Sequence, residues 1–179
     1  MTKTGPVVEA FDAVACSHGF RKSGLIWKRE FDGGVAYTRL RADTWTGTMF
    51  FFEQGIDYRA VHKKLPKRSS PSDCDVNSED SDYGLSKCGV PVGYLFEDTK
   101  LSYSKRKEYI ELAFELLEKL FFRPYESFEL ASNTQKVWLP IDAGEDRDLK
   151  AGVPSAGPDL RKFLWGDKFE RVASWRQEG

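Results

Sequence analysis

Residues 19–56, GFRKSGLIWKREFDGGVAYTRLRADTWTGTMFFFEQGI, decide the fold. A turn at Gly19 leads into three aromatic-rich stretches, and Asp-Gly-Gly at 32–34 separates the first two. Asp-Gly between two runs of β-forming residues is a hairpin signal, because a tight turn favours glycine with a positive φ. The third stretch, which ends at Gly55, should pair with the second. The sequence therefore predicts an antiparallel meander near the N-terminus.

The residues before this stretch predict a helix that begins at Pro6. Proline is favoured at the first helical position, since its missing N–H has no partner there. Gly19 then supplies a left-handed residue, and Phe20 folds back onto the helix in a Schellman closure. Helical spacing places one stripe of side chains towards the core, and it consists of Val7, Val8, Phe11, Val14, Ala15 and His18.

Beyond the meander the chain alternates polar and amphipathic segments. A polar, turn-rich stretch at about 65–89 predicts a long loop. Residues 90–96 suggest an edge strand, because proline is excluded from central strands. Ser104 should cap a helix that ends at Pro124. The buried stripe of this helix is predicted to contain Ile110, Ala113, Phe114, Leu117, Leu120 and Phe121.

The C-terminal part predicts a linker at about 143–158, followed by a helical tail. Two short helices are expected there, at 159–165 and 167–175, with the tail covering part of the second sheet face. The predicted fold is thus one α+β domain over 1–179. An antiparallel β-sheet packs against the N-terminal helix and a mid-chain amphipathic helix, with short C-terminal helices.

Composition excludes several classes of protein. The 179 residues carry 27 Lys and Arg against 28 Asp and Glu, so the chain lacks the net positive field of a dedicated nucleic-acid binder. No stretch approaches the roughly 20 apolar residues of a membrane helix. Three cysteines at unrelated spacings favour a reducing compartment. We therefore expect a cytoplasmic protein with no membrane partner.

The first third of the chain resembles the bacterial family known as domain of unknown function 4304 (DUF4304). The resemblance rests on the Gly-Phe-basic-basic turn at 19–22, the short strand after it, and the aromatic strand ending Phe-Glu-Gln-Gly-Ile at 52–56. It extends to a Ser-Asp-Cys sequence at 72–74. The resemblance implies a fold and a bacterial setting. It also implies a role that some small bacterial domains have, that of an immunity protein in a toxin–antitoxin pair.

Two candidate metal sites lack the pattern of ligands that their ions require. Zinc could use thiolates and an imidazole from Cys16, His18, Cys74 and Cys88, but these residues do not form two close pairs. Residues 73–84 offer oxygen atoms at alternate positions, as a calcium loop does. That loop needs glycine where Ser78 stands and glutamate where Gly84 stands. No metal or other cofactor is expected.

Two further functions remain as alternatives. A small hydrolase or transferase would use His62 with Cys74 or Cys88, although no nucleophile motif marks them. A nucleic-acid-associated domain would use the basic run at 59–68, whose field is opposed by the acidic block that follows it.

Aromatic and acidic residues favour binding over catalysis. Aromatic side chains at strand ends and in loops, next to dense charge, are typical of protein-binding surfaces. We therefore predict a non-catalytic protein-binding module, an immunity protein that blocks a cognate toxin. Its acidic residues would complement a basic partner. The predicted contact residues are Trp45, Tyr58, Asp73, Asp75, Glu79, Asp80, Asp82 and Tyr83.

Overall fold

The computed structural model describes residues 5–79, 90, 95, 97 and 100–126. Five strands form one antiparallel sheet in chain order, which confirms the predicted α+β class and the meander. Helices α1 and α2 contact each other, and their buried residues join those of the sheet in one core. The elements in chain order are α1 (Pro6–Ser17), β1 (Arg21–Ser23), β2 (Ile26–Phe31), β3 (Gly34–Ala42), β4 (Phe50–Tyr58), β5 (Val76–Glu79) and α2 (Tyr103–Leu117).

Helix α1 ends as the sequence predicts. The N–H of Phe20 donates to the carbonyl of Ala15 at 3.0 Å, and the N–H of Gly19 donates to that of Cys16 at 3.0 Å. These two bonds define a Schellman closure, and Gly19 has the left-handed φ of +83° that it requires. The closure directs the chain from α1 into β1.

At the β2–β3 turn and within β4, glycine serves close packing rather than a left-handed turn conformation, unlike Gly24 and Gly47, whose φ angles are +70° and +65°. Residues 32 and 33 join β2 to β3, but Gly33 and Gly34 do not adopt the left-handed φ that the sequence analysis assumed. A Cβ on Gly34 would instead clash with the carbonyl of Asp57 on β4. Gly55 does not end its strand, since β4 continues to Tyr58.

The predicted loop at 65–89 is structured over its described part. Pro71–Asp73 form a 3-10 turn, and β5 extends the sheet beyond β4. A Cβ on Gly55 would lie 2.5 Å from the carbonyl oxygen of Pro71 and 2.7 Å from the Sγ of Cys74. Glycine therefore lets this segment lie directly on the sheet. It covers the face opposite the helices, where Cys74 packs with Ile26, Val35, Tyr37 and Leu65.

An aromatic cluster joins the helices to the sheet. The ring of Phe11 on α1 lies 4.8 Å from Trp27 on β2, 5.2 Å from Phe52 on β4 and 5.3 Å from Phe114 on α2. Edge-on and tilted pairs at these distances are favourable beyond the area that they bury. One side chain thus holds three elements together.

Helix α2 begins and ends differently from the prediction. Ser102, not Ser104, is the cap, because it has the extended backbone of a cap and its Oγ accepts the N–H of Lys105 at 3.2 Å. Pro124 does not end the helix. A π-helical turn at Glu118–Phe122 leads into a short helix, α3 (Arg123–Tyr125), and Pro124 lies in its first turn, where a missing N–H costs little.

Several predicted elements lie outside the described residues. They are the linker at 143–158, the two tail helices and most of the strand at 90–96, of which Val90 and Leu95 are described and buried. Among the helices that are described, none has the length and apolar character required to cross a membrane.

The Schellman closure gives a first prediction. Gly19→Ala should lower the free energy of unfolding by about 1–2 kcal/mol, because a Cβ is disfavoured at a left-handed φ. No clash contributes, since the nearest atom to such a Cβ is the Cδ of Arg29 at 3.5 Å. Gly19→Asn is the matched control and should lose less, as asparagine tolerates this conformation. If the two variants lose the same free energy of unfolding in urea denaturation, the left-handed conformation assigned to Gly19 is wrong.

Candidate partner-binding site

Asp57 is the centre of a buried charged cluster on the face covered by residues 65–74. Its carboxylate is inaccessible to solvent and accepts two bonds from Arg68, at 2.7 and 2.9 Å. It also accepts the backbone N–H of Asp75 at 3.1 Å. The Asp75 carboxylate in turn accepts the N–H of Tyr58 at 2.9 Å and contacts the Nε2 of His62 at 2.8 Å. These bonds fix the chain between β4 and β5.

This cluster also has the spacing of a metal site. One ligand atom from each of Asp57, His62 and Asp75 lies within 4.8 Å of the others. A cation would need the oxygen atoms that Arg68 and two backbone N–H groups already occupy, and it would meet the charge of Arg68. Among the described residues, no comparable group includes Cys16 or Cys74. The cluster therefore acts as an internal latch rather than as a metal centre.

Cys74 is poorly suited to nucleophilic catalysis. It is 7% exposed, and burial raises the pKa of its thiol, as does the nearby Asp57. Since the thiolate is the nucleophile, the thiol of Cys74 stays unreactive near neutral pH. Burial likewise raises the pKa of Tyr37 to about 12. Cys88, the other thiol considered for catalysis, lies outside the described residues.

The latch gives a second prediction. Arg68→Ala should lower the free energy of unfolding by about 3–5 kcal/mol, because it leaves a buried carboxylate without its counter-charge. Arg59→Ala is the matched control: Arg59 is half-exposed and 3.8 Å from the exposed Glu30, so the loss should stay below about 1 kcal/mol. Adding Asp57→Asn to Arg68→Ala should recover part of the stability. Equal effects in the two arginine variants would refute the latch.

A second charged cluster lies where α1 ends, and it was not predicted from the sequence. Arg29 on β2 donates to the carbonyl of His18 at 2.9 Å and to the carboxylates of Glu118 and Glu126 at 2.5 and 2.6 Å. Its guanidinium also lies over the rings of Phe20 and Phe122, 4.6 and 5.2 Å from their centres. The π-helical turn begins at Glu118, so it positions this carboxylate towards β2.

His18 completes this second cluster. Its Nε2 lies 2.8 Å from Glu111, and its Nδ1 lies 3.5 Å from Glu118. Hydrogen bonding to Glu118 and then to Glu111 raises the pKa of His18 against the opposing effect of burial. The pKa of Glu118 is lowered by His18 and Arg29, although burial opposes this. The charges of His18, Arg29 and Glu118 therefore neutralise one another. A depression of 540 Å³ lies beside this cluster, but Glu118 has no unpaired charge there with which to bind a ligand.

His18 gives a third prediction. Its pKa is above 6.5 in the folded state, so its contribution to stability is present below pH 6.5 and lost as the pH rises through the folded pKa. The difference in unfolding free energy between the wild type and His18→Gln should therefore shrink from pH 5.5 to pH 8.5. Urea titrations across that range measure it. A difference independent of pH would contradict the ion pairs.

The predicted contact residues separate into four groups. Tyr58 is buried at 2% exposure and its hydroxyl donates to the carbonyl of Tyr125 at 2.5 Å, which corrects the expectation that its ring is exposed. Asp75 is committed to the latch, whereas Asp73 and Trp45 lie on the surface. The side chain of Glu79, and all of Asp80, Asp82 and Tyr83, lie outside the description.

Trp45 is 94% exposed on a turn with an ordered backbone. The turn, residues 43–49, joins β3 to β4. The Asp43 carboxylate accepts the N–H groups of Trp45 at 2.9 Å, Thr46 at 2.6 Å and Met49 at 2.9 Å. These bonds, foremost the one from Thr46, lower the pKa of Asp43. The turn is therefore held in one conformation while it presents an indole to solvent.

A groove of 680 Å³ borders this turn. Its apolar lining comes from α1, β2, β3 and β4, through Val8, Trp27, Leu40 and Phe50. Leu25, which is 83% exposed, lies at its edge on the turn between β1 and β2. We refer to Trp45, Leu25 and this groove as the Trp45 face.

The Trp45 face differs from the two charged clusters, because two of its large apolar side chains, Trp45 and Leu25, are exposed to solvent. Exposed apolar groups around a groove are typical of binding sites. Trp45 could be singled out in the sequence as an aromatic residue in a turn, whereas no sequence pattern indicated the groove. Comparison of the chain with protein-family models, curated proteins and solved structures finds no match.

Proposed function

We propose that this chain is a non-catalytic protein-binding module that binds its partner through the Trp45 face. The single observation that carries the proposal is an almost completely exposed tryptophan on a turn fixed by the Asp43 carboxylate. Tryptophan is enriched among the residues that dominate binding energy at interfaces. Because the turn is already ordered, little conformational entropy would be lost when it binds.

The charged clusters support binding rather than catalysis. In the latch, Asp57 and Asp75 are hydrogen-bonded within the protein, and the nearby Cys74 thiol is buried. Arg68, part of the basic run considered for nucleic acid, points inward to Asp57. The hydrolase or transferase alternative depended on a reactive Cys74, and the nucleic-acid alternative depended on a basic run that includes Arg68. Each alternative therefore loses a residue that it requires.

Within this class, we propose an immunity protein that blocks a cognate bacterial toxin. The support is the resemblance of the first third of the chain to the DUF4304 family. An inhibitor of this kind acts by occupying the toxin's surface, and it needs a rigid, exposed anchor rather than reactive groups. The Trp45 face meets that requirement.

The test uses the neighbouring gene product from the source genome. Co-expressed with the wild-type chain, it should be tolerated by cells whose growth it otherwise arrests, and the two proteins should co-purify. Trp45→Ala should weaken the complex by about 30-fold or more, as expected for a central interface tryptophan. Titration calorimetry on the purified pair measures the loss.

Val61→Ala is the matched control, since Val61 is an exposed apolar residue that lies beyond the opposite end of β4. It should leave affinity and growth unchanged. Failure of the wild type to restore growth would refute the immunity role. An unchanged affinity in Trp45→Ala would refute the Trp45 face as the binding surface.

A further inference from the structure

We propose that a basic strip on the sheet face opposite the helices contacts an acidic protein surface of the partner and steers it towards the Trp45 face. This inference rests on the proposed function and specifies the partner's chemistry. It differs from the expectation that acidic residues of this chain meet a basic partner. The basic strip consists of five exposed residues, Arg21, Lys28, Lys63, Lys64 and Lys67.

Strand register places the first two of these cations side by side. Arg21 on β1 is paired with Lys28 on β2, and Lys28 is paired with Tyr37 on β3. Directly paired residues of antiparallel strands project to the same face of the sheet. Tyr37 packs with Cys74 on the face opposite the helices, so Arg21 and Lys28 project to that face as well.

The segment after β4 brings the three remaining lysines to the same face. Leu65 packs against the apolar cluster that contains Ile26 of β2 and Tyr37 of β3. Arg68 returns the chain to β4 through its two bonds to Asp57. Each of the three lysines lies within two residues of Leu65 or Arg68 in the chain. The latch therefore holds them on this face.

Within the described part of the chain, the cations of the basic strip form no ion pair. The acids near them are engaged elsewhere: Glu30 is 3.8 Å from Arg59, and Asp57 accepts both bonds from Arg68. Asp73 is exposed, but it lies on the 3-10 turn against β4 and β5. The strip therefore presents an excess of positive charge to solvent.

The sheet separates the two opposite charges that are adjacent in the sequence. Glu79, the first residue of the acidic block, belongs to β5, whereas Arg21 and Lys28 lie on β1 and β2. Three strand spacings of about 4.8 Å place β5 roughly 14 Å from β2. This exceeds the Debye length of about 8 Å at physiological ionic strength, so the two charges are largely screened from each other. The other acids of the block lie outside the described residues.

The basic strip is continuous with the Trp45 face. Leu25, at the edge of that face, lies on the turn that joins β1 to β2. Arg21 and Lys28 lie two residues beyond this turn, which is about 7 Å along the strands. A standard interface covers roughly 800 Å² of each partner, so one centred on Trp45 extends beyond the groove. Charges at the margin of an interface act mainly on the rate of association.

An acidic protein surface fits the basic strip better than a nucleic acid does. Single-stranded nucleic acid is bound in basic grooves where aromatic rings stack on the bases. Tyr37, the ring beside Lys28, is 5% exposed and is not available for stacking. Most of the cations are lysines, which meet an anion as point charges and lack the bidentate geometry of arginine on phosphate. The strip therefore offers charge without stacking.

The experiment measures the rate of association between the full chain and the neighbouring gene product by stopped-flow fluorescence, at about 50 mM and about 500 mM NaCl. Lys28→Glu and Lys64→Glu should each slow association about fivefold in low salt, because they reverse a charge that attracts the partner. In high salt the effect should fall below about twofold, since screening shortens the reach of the charges. The rate of dissociation should change less than about twofold.

Lys107→Glu is the matched control, since Lys107 is an exposed lysine on α2, on the helical side of the sheet. It changes the net charge by the same amount and should slow association less than about twofold. The three lysines are exposed, so folding should be unaffected, and urea denaturation checks this. Equal slowing by all three variants, or no slowing by Lys28→Glu and Lys64→Glu, would overturn the inference.

A second measurement does not depend on the neighbouring gene product. Fluorescence anisotropy compares the binding of labelled deca-glutamate with that of labelled deca-thymidylate, whose charge is nearly equal. Lys64→Glu should weaken the binding of deca-glutamate about fivefold, and Lys107→Glu less than about twofold. Tighter binding of deca-thymidylate than of deca-glutamate would assign the strip to nucleic acid and overturn the inference.

The two proposals fail separately. If Trp45→Ala speeds dissociation of the complex while Lys28→Glu and Lys64→Glu leave association unchanged, the inference about the basic strip is refuted and the binding module stands. If the wild-type chain does not bind the neighbouring gene product, the immunity role is refuted, and the deca-glutamate measurement decides the basic strip alone.

Discussion

The contact of Phe11 with three aromatic rings is the interaction on which this fold depends. Its partners Trp27, Phe52 and Phe114 belong to β2, β4 and α2, which are distant in the chain. The Schellman closure of α1 returns the chain towards the sheet, so Phe20 also packs on Phe114. With the helices held in this way, the core side of the sheet is closed. We therefore propose that binding uses the edges and turns of the sheet.

Charge plays a structural part in the clusters around Asp57 and Arg29. The latch at Asp57 holds residues 65–74 against one face of the sheet, and the cluster at Arg29 ties the end of α1 to β2 and to the π-helical turn. In each cluster, acid and base are hydrogen-bonded to one another. Ionisable groups that satisfy each other in this way leave little chemistry for a substrate. This is why we propose that the exposed Trp45, rather than these buried acids, carries the function.

Local chemistry made much of the fold predictable from the sequence. Pro6, Gly19 and Phe20 marked both ends of α1, and the turn at 32–34 marked the hairpin formed by β2 and β3. Long-range contacts were not predictable in the same way. Gly55 suggested the end of a strand, yet it lies within β4 because residues 71–74 pack against its backbone. The polar composition of 65–79 likewise did not indicate β5 or the ion pair between Arg68 and Asp57, because both depend on contacts with the distant strand β4. The exposure of Trp45 was predictable from its place in a turn, whereas the groove forms only when four elements are brought together.

We propose that the closed aromatic core supports the exposed, ordered indole of Trp45, and that this indole recognises the partner. Fluorine NMR of protein labelled with 5-fluorotryptophan, with signals assigned through Trp27→Phe and Trp45→Phe, tests it most directly. The Trp45 signal should move when H₂O is replaced by D₂O and again when the partner is added, while the Trp27 signal should do neither. A solvent-shielded Trp45, or a partner-induced change at Trp27 alone, would contradict the account.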